Sequence, residues 1–439
     1  MSDAAPADPP LPQEAGETAG PVRRALDHYW FGVVLWRRIL LGLLLGLGTG
    51  LLLGEQALAL KWIGDVFVRL IRMVVTPLVF LSIVSGIAAM GDVRRLGSIG
   101  VKTLVLYLGL TVVAVSVGLG LGGLFQPGAG MDFAGTTPQV LGTAPSLGDY
   151  LMSIIPLNPF AALAEGSIPA VIFFAILVGL AVLLMGEPAA PAARLFQIGA
   201  DLMLILVRLI MEVAPFGVFA LVAWVMGTSG PGAFVHVFLL ACALVLGCVF
   251  QSVVVHGGLI RLGARLPAMP FFRDIADAII VAFSTSSSAA VLPVAMRVAE
   301  KNLGVSHTVA STSLPLGTTL SMDGTALYVA LLAMFSAQAF GVELSLGQYL
   351  MVGLVCVVVA VGTAPVPSAS LFMLAAVLQV MGLGPEQTAL VVGFILPFDR
   401  ILDMTRTVPN ATSDLVVAVT VARWEGELDE ESYLRKPVE

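Results

Sequence analysis

Between residues 399 and 414 the chain reads DRILDMTRTVPNATSD, which places three aspartates and two arginines in the last long apolar segment of a sequence that is 58% hydrophobic. At about 100° per residue on an α-helix, with Asp403 at zero, Asp399 falls near −40°, Arg406 near −60°, Thr407 near +40°, Asn410 near −20° and Asp414 near +20°. Arg400, at about +60°, borders the same stripe. Each ionisable group at the centre of a membrane helix costs about 2.5 to 3.5 kcal/mol, so the five charges together would cost on the order of 12 to 18 kcal/mol. A stripe of this kind persists only where its charges meet one another, water or a ligand.

The rest of the chain makes the membrane setting plain. Only 12% of its 439 residues are charged and 46 are glycine, a composition that fits a polytopic α-helical membrane protein and not a water-soluble globule of this length. The phosphate-cradling pattern GxxxxGK[ST] is absent, with Gly97 to Thr103 as its nearest approach, so nothing points to ATP hydrolysis. Cys242, Cys248 and Cys356 sit in apolar runs and read as small core hydrophobes, not as a disulfide or metal framework. No cofactor and no nucleic-acid partner is expected. Residues 1–30 and 425–439 are polar, Pro-rich or acidic, and are expected to be solvated tails. The N-terminal stretch lacks the basic and apolar regions of a removable signal peptide.

Apolar segments of about 20 residues or more fall near 33–53, 64–90, 101–124, 150–185, 197–228, 233–262, 307–338 and 387–422, giving eight expected spans. Lys and Arg cluster before the first span, after the second, after the fourth and after the sixth, while loops 125–149 and 228–232 have none. The positive-inside rule then puts both termini in the cytoplasm. Segment 271–297 has Arg261, Arg265 and Arg273 at one end and Arg297 and Lys301 at the other, so both ends belong on the cytoplasmic side. It reads as a re-entrant hairpin with its tip at Ser284–Ser288. Segment 346–381 lies between loops without Lys or Arg, and its centre, GTAPVPS at 362–368, cannot continue a helix. It reads as a second hairpin, entering from outside. Irregular backbone at membrane depth is tolerated where protein buries it or where it lines a cavity, so both tips are expected to meet the charged stripe. Oppositely entering hairpins fit an inverted repeat, as in many secondary transporters.

If tips and stripe converge, Arg406 offers a planar fork to a carboxylate. Asp403 accepts an ammonium group, and Thr407 and Asn410 add neutral hydrogen bonds. The ligand implied is an acidic amino acid, with backbone N–H groups of the tips holding its second carboxylate. Asp323 and Asp414 are hard oxygen ligands suited to a small cation. Blander readings stand beside these. The serine run is equally well small-residue packing, Asp399 with Arg400 reads as a structural ion pair, and Glu212 as a structural carboxylate facing the bundle. His28, His236, His256 and His307 show no metal-ligand spacing. An intramembrane hydrolase pairing His307 with a serine is a poor second, and the chain is not expected to be an enzyme.

These residues carry a family resemblance over about Val34 to Trp424: RLIRMVVTPLVFLSIVSGIA at 69–88, IIPLNPFAALAEG at 154–166, APFGVFALVAWVM at 214–226, the serine-rich tip, MDGTALY at 322–328, and LDMTRT at 402–407 followed by Asn410 and Asp414. The chain resembles the dicarboxylate/amino acid:cation symporters. The resemblance implies an all-α membrane protein of eight spans plus two re-entrant hairpins, assembled as a homotrimer in the inner membrane. Each protomer would have a scaffold from spans 1, 2, 4 and 5 and a transport domain from the remaining spans and both hairpins, moving as an elevator. It further implies that Arg406 binds the side-chain carboxylate and Asp403 the amino group, with Thr407, Asn410 and Thr325 beside them. Ser287 and Ser288 of the first tip and the backbone around Val366 of the second complete the substrate site. Asp414 and Asp323 resemble cation ligands, with carbonyls of Gly317, Ser321 and Asn410, and Thr319 with Thr363 matches a second cation site.

Having both Asp403 and Arg406 points to aspartate or glutamate, coupled to sodium or protons. A C4-dicarboxylate carrier and a non-transporting channel-like or sensor protein are the alternatives. The chain departs from the family at Ser321, where asparagine is usual, at Leu110, where a cation-site threonine is expected beside Tyr107 and Thr111, and at Val329, where mammalian members have a proton-accepting glutamate. Pro365, Ser368 and Ser370 replace glycines of the outer gate, and Pro409 removes a hydrogen bond to the Thr405 carbonyl.

Overall fold

Every described element longer than an isolated bridge is helical, in a computed structural model that describes residues 35–88, 93–131, 152, 155–230, 232–363 and 369–435. The tail at 1–30 and the substrate-site position Val366, with Pro365 and Ser368, lie outside the described residues. In chain order the helices are α1 Leu35–Leu53, α2 Lys61–Ala88, α3 Val93–Phe125, α4 Pro159–Glu165, α5 Ile168–Met185, α6 Ala190–Met211, α7 Ala214–Ser229 and α8 Gly232–Val249. They continue as α9 Ala268–Asp274, α10 Ala276–Thr285, α11 Ser288–Lys301, α12 His307–Leu320, α13 Asp323–Ala339, α14 Leu346–Val361, α15 Ala369–Val380, α16 Pro385–Glu425 and α17 Glu430–Leu434. Four stretches among the described residues are long and apolar enough to cross a membrane, within 37–67, 97–125, 234–263 and 307–339.

Several expected spans are divided. The apolar run 150–185 gives two helices, because Asn158 caps α4 by accepting from the Phe160 and Ala161 N–H groups, and Gly166 ends it at φ 70°. The run 197–228 gives α6 and α7 with a turn at Glu212–Val213, just before Pro215 at the start of α7. Glu212 is held by a two-pronged pair with Arg38 of α1, at 2.6 and 3.3 Å, a structural role. The run 307–338 is broken between α12 and α13, where Ser321 (ψ 86°) and Met322 (ψ 50°) leave the helical region.

Segment 271–297 does form a helical hairpin. Arg297 pairs with Asp277 at 2.6 Å and Asn302 reaches the Asp274 carbonyl at 3.4 Å, so α10 and α11 run antiparallel. Its tip is two residues long: Ser286, left-handed at φ 53°, ends α10, and Ser287 caps α11. Two apolar clusters organise the chain. One joins α1, α2, α5 and α7 to α13, α14, α15 and the first half of α16; the other joins the α10–α11 hairpin and α12 to Ala411–Ala422 of α16. The single helix α16 therefore passes through both, and its polar stripe lies where they adjoin.

The expected solvated tail at 425–439 is corrected for its described part. Leu428 bridges Val305, the Asp429 N–H donates to the Gly304 carbonyl at 2.8 Å, and α17 buries Tyr433, whose hydroxyl donates to the Pro267 carbonyl at 2.8 Å. Arg273 also donates to the Arg435 carbonyl. Asp429 caps α17, and the Ser432 hydroxyl and N–H groups on its oxygens hold its carboxyl below the usual range. An aromatic residue and a capping aspartate are enough to dock an otherwise acidic strip.

Candidate functional site

Helices and the turns between them line a cavity. Its wall is formed by Ser286 and Ser288 of the first hairpin tip, Met322 and Thr325 at the α12–α13 break, Thr363 just after α14, Ser370 in the first turn of α15, and Asp403, Arg406, Thr407 and Asn410 of α16. The period of α16 aims its four residues the same way, as the stripe requires.

Arg406 is 2% exposed. Its Nε and Nη2 both donate to Asp403 Oδ1, at 2.9 and 2.6 Å, and its guanidinium lies 4.6 Å from the centre of the Tyr328 ring. Nη1 has no hydrogen-bond partner. A buried ion pair of this kind is poor evidence for stability, since desolvation offsets most of its attraction. It is good evidence for a fork held ready with one prong unspent. Tyr328 in turn donates to Asp399 Oδ1 at 2.9 Å. The ion pair expected between Asp399 and Arg400 is not formed: adjacent residues diverge on a helix, and Tyr328 is the donor that reaches Asp399.

Asn410 Oδ1 accepts from the Gly324 N–H at 2.8 Å, satisfying a first-turn donor of α13, and its Nδ2 lies 3.6 Å from the Met322 sulfur. Gly324 is required there, because a Cβ would collide with the Arg406 carbonyl. Thr407 donates to the Asp403 carbonyl at 2.7 Å, and Thr325 lies 3.7 Å from the Met322 sulfur. Helix α16 runs on through Pro409.

Asp414 and Asp323 lie deeper, both buried. Asp414 Oδ1 has no hydrogen-bond partner and packs against Gly317 of α12, where a Cβ would run into both that oxygen and the Tyr107 hydroxyl. Ser321 and Ser413 join through their hydroxyls at 2.6 Å beside it. Asp323 is differently placed. Its Oδ2 receives His256 Nε2 at 2.9 Å and Gln251 Nε2 at 3.2 Å, and Thr111 Oγ1 lies 3.2 Å from Oδ1. Thr319 bonds the Leu316 carbonyl and Thr363 the Val359 carbonyl, so of this pair only Thr363 reaches the cavity wall.

The structure thus brings together Ser288, Thr325, Thr363, Asp403, Arg406, Thr407 and Asn410. Ser287 is the cap of α11 and Ser286 takes its place in the wall; only the left-handed turn decides between neighbouring serines, and sequence has no sign of it. Ser370, read from the sequence only as a gate position, lines the cavity, and Met322 and Tyr328 were also missed. So were Gln251 and His256, whose spacing of five residues matches neither helix nor strand.

Comparison with known proteins fits this arrangement. The family model described as the sodium:dicarboxylate symporter family matches residues 35–424. A proton/sodium-glutamate symport protein of Geobacillus stearothermophilus is 35% identical over 408 residues, covering 90% of this chain and 95% of that protein. A proton/glutamate-aspartate symporter of Escherichia coli is 33% identical, covering 90% and 94%. A C4-dicarboxylate transport protein of Mesorhizobium japonicum is 32% identical, covering 91% and 92%.

Proposed function

This chain belongs to the sodium:dicarboxylate symporter family, and from that premise we propose that it is a symporter of acidic amino acids, aspartate or glutamate, driven by sodium or protons. The observation that carries the choice of substrate is the buried Arg406 fork, with Nη1 unpartnered and Asp403 beside it, at the wall of a cavity that the Ser286–Ser288 tip also lines. The substrate carboxylate takes the Arg406 guanidinium and its ammonium takes Asp403, so each half of the internal pair exchanges one partner for another of the same sign. A buried charge is then never left bare, which keeps the exchange affordable in a low-dielectric site. Ser286, Ser288 and the N-terminal N–H groups of α11 receive the other carboxylate.

Around the site the chain forms eight spans and two re-entrant hairpins related as inverted repeats, in a homotrimer of the inner membrane with both termini cytoplasmic. The scaffold comprises spans 1, 2, 4 and 5, and the remaining spans move with both hairpins.

Uptake of labelled aspartate into proteoliposomes tests this reading, with sodium and pH gradients imposed separately. Concentrative uptake is expected under at least one gradient. Arg406→Thr should lower aspartate uptake by at least ~30-fold, since truncating one partner of a buried charge pair costs about 2 to 5 kcal/mol. Unchanged aspartate affinity would remove Arg406 from the site. Preferred uptake of succinate would move the assignment to C4-dicarboxylates, because succinate lacks the ammonium that Asp403 is assigned to hold.

A further inference from the structure

After Val249, the helix that begins as α8 switches to the wider π-helical winding over Phe250–His256 and again over Leu259–Gly263. Gln251 and His256 are five residues apart, which on an α-helix would turn their side chains about 140° away from each other. The π-turn, with its i to i+5 bonding, brings them onto one line. Both are 0% exposed and both reach one oxygen of Asp323, itself 0% exposed. Gln251 Nε2 also lies 3.3 Å from the Leu110 carbonyl, so its two hydrogens serve Leu110 and Asp323. His256 Nε2, facing a carboxylate, donates, and Nδ1 has no partner.

We propose that His256 and Gln251 form a built-in replacement for an inorganic cation at Asp323, so that Asp414 alone of these two carboxylates takes a coupling cation. A sodium ion needs several oxygen lone pairs converging on one point. At Asp323 Oδ2 two N–H groups already point at that spot, and N–H hydrogens repel a cation. At Oδ1 the neighbouring group is the Thr111 hydroxyl, which also lies 2.9 Å from the Tyr107 carbonyl. Leu110 contributes no side-chain oxygen. The contrast with Asp414, whose Oδ1 has no donor at all, is the second, independent sign. The π-turn thus acts as a positioning device: it holds an anionic side chain in place by hydrogen bonds from the protein, and it lowers the number of cations that travel with each substrate.

The inference rests on the symport reading for its meaning, but its test does not. Purified full-length protein is heated in sodium chloride and in choline chloride, and the rise in Tm with sodium is followed to saturation. His256→Leu strips Asp323 of a donor and frees its lone pairs, so this variant should gain a saturable sodium-dependent rise in Tm beyond that of the unaltered protein. His256→Gln, which keeps an N–H donor, should show the unaltered response, an outcome that simple loss of packing would not give. If His256→Leu does not fold, His256→Leu combined with Asp323→Leu removes donor and carboxylate together and should retain the unaltered sodium response. No gain in His256→Leu, or loss of the sodium response in the double variant, overturns the proposal. A protein that behaves as expected here yet takes up no aspartate in proteoliposomes would sink the transport reading and leave this one standing.

Discussion

Asp414 and Asp323 are two buried carboxylates on neighbouring helices with the same formal charge, and their surroundings are opposite. Asp414 presents an oxygen without a donor against a glycine. Asp323 is held by a histidine, a glutamine and a nearby threonine. Burying a carboxylate is expensive in either case. One is met by donors the protein supplies itself, while the other has an oxygen that none of the described residues reaches with a donor. On the proposal above, the first serves architecture and the second exchange, and residue type alone does not reveal the difference.

The largest expected effect comes from Asp414→Asn. Concentrative uptake driven by the coupling gradient should fall by roughly 100-fold, near the upper end of coupling between two ligands. Uptake into proteoliposomes measures it, and an unaltered gradient response would erase the distinction between the two aspartates. Gly317→Ala is the next. Its methyl would press on Asp414 Oδ1 and Tyr107, and overpacking of about 1 to 3 kcal/mol, if it falls on cation binding, corresponds to a rise of roughly 5- to 100-fold in the cation concentration for half-maximal uptake. If that concentration does not move, cation binding does not pass through the Asp414–Gly317 contact. Thr111→Val should have the smallest effect on uptake. Asp323 keeps its two nitrogen donors on Oδ2 and loses the threonine hydroxyl at Oδ1, so thermal unfolding should report a loss of about 1 to 3 kcal/mol, with the cation dependence of uptake unchanged. A change in cation dependence would show that Oδ1 of Asp323 is also a site of exchange.

The same contrast explains how far the sequence could be read. The α16 stripe was legible because helical period is a local property: Asp403, Arg406, Thr407 and Asn410 had to share a face once the segment was a helix, and they share a cavity wall. The α10–α11 helical hairpin was legible as a turn-back because positive charge flanks the segment at both ends. Asp399 could be read as structural, with its bond lying elsewhere than adjacent Arg400, but its partner was not legible, because Tyr328 arrives from α13. The docked C-terminal helix was missed because one buried tyrosine outweighs an acidic average.

By itself, then, the sequence determined that this is a helical membrane protein and which helix gathers its charges on one face, because transfer cost and helical period act on each residue where it stands. Only tertiary structure decided which serine lines the cavity, which carboxylate is already satisfied, and where α12 and α13 separate. Those outcomes depend on a left-handed turn at Ser286, a π-helical turn carrying Gln251 and His256, and a backbone break at Ser321–Met322. In each, contacts from distant parts of the chain select one backbone state among several that local preference leaves nearly equal.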